Sequence, residues 1–223
     1  MMAPYFSIRA ADRSAERHEM VEAQLVARGI REPRLLAAMR SVRREDFVSD
    51  ELSEQAYDDR ALSVGHQQTI SQPYIVAYMS EMLAVGPTHR VLEVGTGTGY
   101  QTAILSMLSE CVITIERIAE LSVSAMARLS PESPMRLTFL VGDGSVGAPQ
   151  FAPYDRIMMT AAAPSIPSAL LDQLADGGRM VLPVGEEGVQ RLVLVERRGS
   201  RYLETNLIRV RFVPLVGAAG FRG

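Results

Sequence analysis

The stretch that most constrains this chain is "RVLEVGTGTGYQTAIL", residues 90–105. A short, apolar, β-branched run ending at Val94 leads straight into Gly95, Gly97 and Gly99, and then into a helical pattern. Strands joined through helices pair in parallel, because a parallel neighbour is reached only by a crossover. The alternation then repeats. "CVITIE" (111–116) reads as a second strand, followed by Ile118, Leu121, Ala125 and Leu129 at helical spacing. "RLTFLVG" (136–142) is a third strand and "YDRIMMT" (154–160) a fourth. "SALLDQLA" (168–175) is a helix ended by the Gly177-Gly178 pair, and "RMVLPV" (179–184) is a fifth strand. "RLVLVER" (191–197) and "YLETNLIRVRFVPLV" (202–216) flank "RGS" and read as an antiparallel hairpin at one edge. The expected fold class is α/β: a Rossmann-like, doubly wound, mostly parallel sheet with a C-terminal antiparallel hairpin.

Ahead of this core the periodicity is helical. "ERHEMVEAQLVARGI" runs to a stop at Gly29. "EPRLLAAMRSV" places Pro33 at a helix start, with Leu35, Leu36, Met39 and Val42 at helical spacing. "YIVAYMSEMLAV" is a third helix, closed by "GPTH". Between the second and third lies polar sequence, including the nearly uncharged "GHQQTISQPY" (65–74). The expected organisation is one domain over residues 1–223. Residues up to about 74 form a helical addition and lid, and the remainder forms the core.

Composition excludes several functions. The net charge is −3 over 223 residues, so no basic field points to nucleic acid or an anionic membrane. No apolar run is long enough to cross a bilayer, and the N-terminal residues lack a signal-peptide pattern. Cys111 is the only cysteine, which rules out an internal disulfide and a thiolate zinc cluster; His18, His66 and His89 show no metal-ligand spacing. A cytoplasmic, metal-free protein is expected.

The chemistry-bearing pattern sits at strand ends, where open α/β sheets bind ligands. The first turn reads G-x-G-x-G with Glu93 two residues ahead of it, unlike the dinucleotide G-x-G-x-x-G. Glu116 ends the second strand, about 20 residues on, where an acid binds ribose hydroxyls. Asp143, in "VGDGS", ends the third strand, where it could accept from an adenine amino group. Three such features on successive strands indicate a nucleoside site. A hydrolase elbow G-x-S-x-G is missing, because Asp143 stands at its first position in "DGSVG". A dehydrogenase reading fails on the spacing.

The chain resembles the protein-L-isoaspartate O-methyltransferases from about Met20 to Val216. The resemblance rests on "VEAQLVARGI", "REDFV", "AYDD", "QTISQPYIVAYM", "VLEVGTGTGYQTAIL", "IERI", "GDG", "TAAAPSIP", "QLADGGRMVLPVG" and "RFVPLV". It implies an enzyme that transfers a methyl group from S-adenosyl-L-methionine to the free α-carboxylate of L-isoaspartyl residues, releasing S-adenosyl-L-homocysteine. Its partners would be damaged proteins and peptides, with a monomer favoured. It implies Ser71 as the catalytic residue. Asp58, Thr69, Ile70 and Val213 would meet the substrate. Gln68, Thr69, Ser71, Glu93, Gly95, Thr96, Gly97, Glu116, Arg117, Asp143 and Gly144 would meet the cofactor. The chain departs from the family at Arg43 (commonly Pro), Gln67 (commonly Gly) and Ser145 (often aromatic). Two alternatives stand beside the repair enzyme: a methyltransferase dedicated to a ribosomally made peptide, and an inactive cofactor-binding homologue.

Overall fold

A computed structural model describes residues 12–129, 136–186 and 188–222. The N-terminal reading of residues 1–11 lies outside the described residues, as does Glu187.

The N-terminal part is helical. α1 (Ser14–Glu19) passes through a wide π-type turn (Met20–Leu25) and a 3₁₀ turn (Val26–Arg28). It stops at Gly29, whose φ of +97° is the left-handed cap that glycine adopts at least cost. α2 (Pro33–Ser41) starts with Pro33 at its first position and with Glu32 accepting from the Arg34 N–H. Two 3₁₀ turns follow, Arg44–Phe47 and Asp50–Gln55. At the first, Arg43 pairs with Glu45 (3.3 Å) and Asp46 (3.5 Å), so the residue standing where the family has proline serves as an ion-pair donor. A small antiparallel hairpin, β1 (Leu62–Ser63) and β2 (Thr69–Ile70), precedes α3 (Pro73–Leu83).

The core is one seven-stranded sheet. Its strands are β3 (Arg90–Val94), β4 (Cys111–Glu116), β5 (Arg136–Val141), β6 (Tyr154–Met159), β7 (Leu174–Val184), β8 (Gln190–Arg198) and β9 (Arg201–Val210). The order is β5-β4-β3-β6-β7-β8-β9, with the first five strands parallel and the last two antiparallel. The crossover helices are α4 (Tyr100–Leu108), α5 (Ala119–Leu129) and α6 (Ser168–Asp172). Strand residues alternate between two cores. Val91, Val112, Met158 and Val181 pack with the N-terminal helices, α3 and α4. Leu92, Ile113, Ile157 and Leu182 pack on the opposite face. This alternation is the period of two expected of a strand covered on both sides. The progression of strand order reverses about β3, since β4 lies on one side of it and β6 on the other. That is the switch point at which a crevice opens.

Two expected elements differ. The helix "SALLDQLA" stops at Asp172, and β7 begins at Leu174 and runs through the glycine pair. Register against β6 slips between Tyr154–Leu174 and Arg156–Arg179, and Gly177 sits at φ +75°. The glycines make a bulge rather than a helix stop. β9 ends at Val210, so "FVPLV" is not strand. It leaves the sheet edge to bond with the loop after β6: the Ala162 N–H donates to Val213 O (2.8 Å), and the Leu215 N–H donates to Ala162 O (2.7 Å).

Candidate active site

A cleft open to solvent lies at the carboxyl ends of β3, β4 and β6. The turn after β3 forms its floor. A Cβ at Gly95 would overlap Thr160 Oγ1, a hydroxyl that donates to the carbonyls of Val94 (3.1 Å) and Gly95 (2.6 Å). Gly97, at φ +54°, faces open space that a side chain would occupy. Both positions therefore require glycine, one for close packing and one to keep the floor clear.

Glu116 is fixed at the end of β4. One carboxylate oxygen accepts from the Gly97 N–H and the other from the Ile118 N–H, each at 2.9 Å. It lines the cleft beside Arg117 and Ile118. The opposite wall is the hairpin. Gln68, Thr69, Ile70 and Ser71 line it, and Ser71 Oγ has no base bonded to it among the described residues. The hairpin turn is tight: the Gln68 N–H donates to Gly65 O (2.8 Å), and both central residues are left-handed, His66 at φ +50° and Gln67 at φ +58°. Two positive φ values define a type I′ turn, normally the place of Asn-Gly. Gln67 thus occupies a conformation that the glycine common in the family would adopt freely.

The remaining walls are Gly144 and the segment from Val213 to Val216. The expected residues Gln68, Thr69, Ile70, Ser71, Gly95, Thr96, Gly97, Glu116, Arg117, Gly144 and Val213 all meet in this one cleft.

Three expected residues stand outside the lining. Glu93 points into the core behind the turn. It is fully buried, and its Oε2 accepts from Thr102 (2.5 Å) and from Thr114 (2.7 Å), its register partner on β4. Its Oε1 is buried without a partner. Burial pushes this carboxyl up to about 7; the two threonine hydroxyls oppose the rise and Glu116 adds to it. Asp58 is exposed and pairs with Arg60 (3.1 Å). Its neighbour Asp59 is the aspartate linked to the hairpin: it accepts from Gln72 (2.7 Å), next to Ser71, and pairs with Arg28 (3.0 Å). Arg28 in turn stacks on Tyr74, 3.5 Å from the ring centre. Asp143 uses its carboxylate within the chain. Oδ1 accepts from the Ser145 N–H (2.9 Å) and hydroxyl (2.7 Å), and Oδ2 from the Ala218 N–H (2.7 Å).

Sequence reasoning did not anticipate Tyr100, Gln101, Thr160 or Pro214 on the walls. Thr160 directly follows β6, much as Glu116 ends β4 and Asp143 follows β5, and that position was its one available signal. Tyr100, Gln101 and Pro214 fall within "VLEVGTGTGYQTAIL" and "RFVPLV", but their residue types gave no sign of which would face the cleft.

The chain matches the family model for protein-L-isoaspartate(D-aspartate) O-methyltransferase over residues 15–220. The chain belongs to the protein-L-isoaspartate O-methyltransferase family. A family relative from Methanoregula boonei is 50% identical over 209 residues, covering 94% of this chain and 96% of the relative. One from Geotalea uraniireducens is 49% identical over 222 residues, covering 99% and 100%. A solved protein-L-isoaspartate O-methyltransferase superposes with a TM-score of 0.81 at 27% identity, covering 92% of this chain and 67% of its own. A Plasmodium falciparum structure of the family, in complex with S-adenosyl-L-homocysteine, gives a TM-score of 0.78 at 23% identity, covering 90% and 98%. That last likeness bears on the fold alone.

Proposed function

We propose that this enzyme methylates the free α-carboxylate of L-isoaspartyl residues in damaged proteins and peptides, using S-adenosyl-L-methionine and leaving S-adenosyl-L-homocysteine. One observation carries the reading: the "QTIS" segment shared with the family and the glycine turn with Glu116 line a single cleft. The cleft fits the cofactor. Gly97 keeps the floor open, Glu116 offers acceptors at a strand end, and Ile115, Ile118, Leu215 and Val216 supply apolar surface. Thr96, Gly97, Glu116 and Arg117 would hold it, with Gly144 and Val216 alongside. When bound it supplies an electrophilic methyl group.

The chain's own residues supply position and dryness. A carboxylate with an α-carboxyl pKa of about 3.5 is ionised at neutral pH and needs no base. Ser71 Oγ, free of any basic partner, donates to that carboxylate and turns one oxygen toward the donor. Thr69 and Ile70 hold the hairpin over the reacting groups, and Ile70 is buried. Neutral donors suit the task, since a fixed cation would blunt the nucleophile. The isoaspartyl link lengthens the main chain by one methylene, so a wall such as Val213 can reject normal aspartate by geometry.

The N-terminal segment and the core act as one catalytic unit, because each contributes to the cleft. The reading takes isoaspartyl proteins as partners, in the cytoplasm, and involves no nucleic acid, membrane or second subunit. Its support is the family match over residues 15–220 and a net charge of −3, which offers no basic field to nucleic acid or an anionic membrane. The test is methyl transfer to paired peptides differing only in Asp or isoAsp. Base-hydrolysable label is expected in the isoAsp peptide alone. Equal labelling of both, or labelling only of one dedicated precursor peptide, would replace repair with peptide tailoring.

A further inference from the structure

Residues 213–221 follow the last strand and belong to no helix or strand of the core. They are nonetheless held at two places. On one side Val213 and Leu215 bond to Ala162, in the loop after β6. On the other, the Ala218 N–H donates to Asp143 Oδ2 (2.7 Å) and the Ala219 N–H donates to Ser145 Oγ (2.9 Å), in the loop after β5. Between these ties the segment folds back on itself. The Gly220 N–H donates to Gly217 O (3.1 Å), and the Phe221 N–H donates to Leu215 O (2.7 Å). The seat is close-fitting: a Cβ at Gly217 would overlap Asp143 Oδ1 and lie 2.7 Å from Ser145 Oγ, and a Cβ at Gly220 would overlap Leu215 O. Ser145 is fully buried beneath the segment. A larger side chain there would take the space in which the turn sits.

In the sheet order β5-β4-β3-β6, those two loops bracket the carboxyl ends of β3 and β4. These are the strands that carry the glycine turn and Glu116. We infer that the turn from Leu215 to Phe221 is a strap that positions the nucleoside end of the cofactor, with Asp143 and Ser145 as its fasteners. This rests on the reading above, that the cofactor occupies this cleft. The strap residues Pro214 to Val216 are apolar and line the cleft together with Ile118 and Gly144. That chemistry suits the flat face of a purine. Asp143 therefore acts through the strap, as a positioning residue whose carboxylate is already engaged. Burial pushes its carboxyl up, but the Ala218 N–H and the Ser145 hydroxyl and N–H more than offset this and hold it below the ordinary aspartate value. It remains an anion and a firm acceptor.

The test uses the full chain, S-adenosyl-L-homocysteine as the probe, and three readouts: calorimetric affinity, amide hydrogen exchange, and steady-state methylation of the isoAsp peptide. Gly217→Ala drives a methyl group into Asp143, and Ser145→Ala removes the hydroxyl that joins Asp143 to Ala219. Exchange at residues 215–221 should speed up in both variants while exchange in β3 and β4 stays as in the parent. Affinity for the probe should fall about tenfold in Gly217→Ala and about threefold in Ser145→Ala. The KM for S-adenosyl-L-methionine should rise in step, and kcat should move less than KM. Faster exchange in the strap with unchanged probe affinity would overturn the inference. If Gly217→Ala fails to fold, Ser145→Ala decides by the same criterion. Failure of the parent chain to bind the probe would instead overturn the underlying reading of the cleft.

Discussion

Among the described residues no base is bonded to Ser71 Oγ, which lines the cleft, so the role proposed for it is a hydrogen bond rather than a covalent attack. A hydrogen bond to a charged group contributes about 1.5–3 kcal/mol. Realised in the transition state, that is roughly a 10- to 150-fold effect on rate. Ser71→Ala should lower single-turnover methyl transfer by that factor while probe affinity changes little. An unchanged rate would remove Ser71 from the mechanism. A steep rise of the parent rate across neutral pH would point instead to a catalytic base, with His66 at the hairpin tip the first to test. Glu93 serves differently. Its carboxyl titrates at about 7 in the fold, against 4.5 for the ordinary group. Between those values the folded state holds the proton more tightly. Glu93's contribution to stability is therefore complete below pH 4.5 and is lost as pH rises through 7. The whole swing is about 3 kcal/mol. About 2.5 kcal/mol of that swing falls between pH 5 and pH 8, and Glu93→Gln cannot ionise, so it should gain on the parent by roughly 5–10 °C in melting temperature over that range. A difference that stays constant with pH would show that Glu93 does not titrate in this range. The acids also mark how far single residues can be read. Glu116 was legible because a strand end and its distance from the glycines fix where its side chain points. Glu93 was not, because strand alternation aims it at Thr102 and Thr114 behind the turn, and only the sheet shows which face that is.

On the proposed function, the hairpin is the element whose placement decides substrate contact. Its base is held by Asp59, which links Gln72 to Arg28, and by Arg28 on Tyr74. These are partly exposed contacts of modest strength. Asp59→Ala should raise the KM for an isoAsp peptide or lower kcat by roughly 2- to 10-fold. Asp58→Ala should stay within about twofold, since its partner is Arg60. Steady-state kinetics on the two variants side by side separates them, and equal effects would discount the clasp. From sequence the two aspartates are indistinguishable neighbours, and only the direction of each side chain assigns the role. The elements themselves were legible wherever periodicity was strong. β3 and β4 start and stop where the apolar runs do, and Pro33 and Gly29 punctuate helices as their backbone preferences require. The reading failed where one residue type serves two purposes. The Gly177-Gly178 pair ends a helix or bulges a strand with equal ease, and "FVPLV" has strand composition but is drawn off the edge by its bonds to Ala162.

At the scale of the whole molecule, the cleft joins the hairpin, three strand ends and the tail, so occupancy should be felt by all of them. A ligand at about 100 times its Kd stabilises the native state by about 2.7 kcal/mol. For a chain of this size that is a rise of roughly 5–11 °C in melting temperature. S-adenosyl-L-homocysteine should give such a shift in a thermal-unfolding scan. Gly97→Val, which fills the floor, should lose the shift while keeping a cooperative transition. A full shift in the variant would place the ligand elsewhere.

The wall formed by Val213 to Val216 has a consequence for the order of events during synthesis. The hairpin, the glycine turn, Glu116 and Gly144 all leave the ribosome before it does. At about 5–20 residues per second, the roughly 70 residues between Gly144 and Val216 take several seconds to make. During that interval β6 to β9 are still being made, and the cleft lacks a side until its end. Cofactor can therefore do little to draw the nascent chain toward its fold, and collapse of the two cores has to proceed on hydrophobic burial alone. The ligand becomes a selector of finished molecules, stabilising only those chains in which the final wall has come to rest.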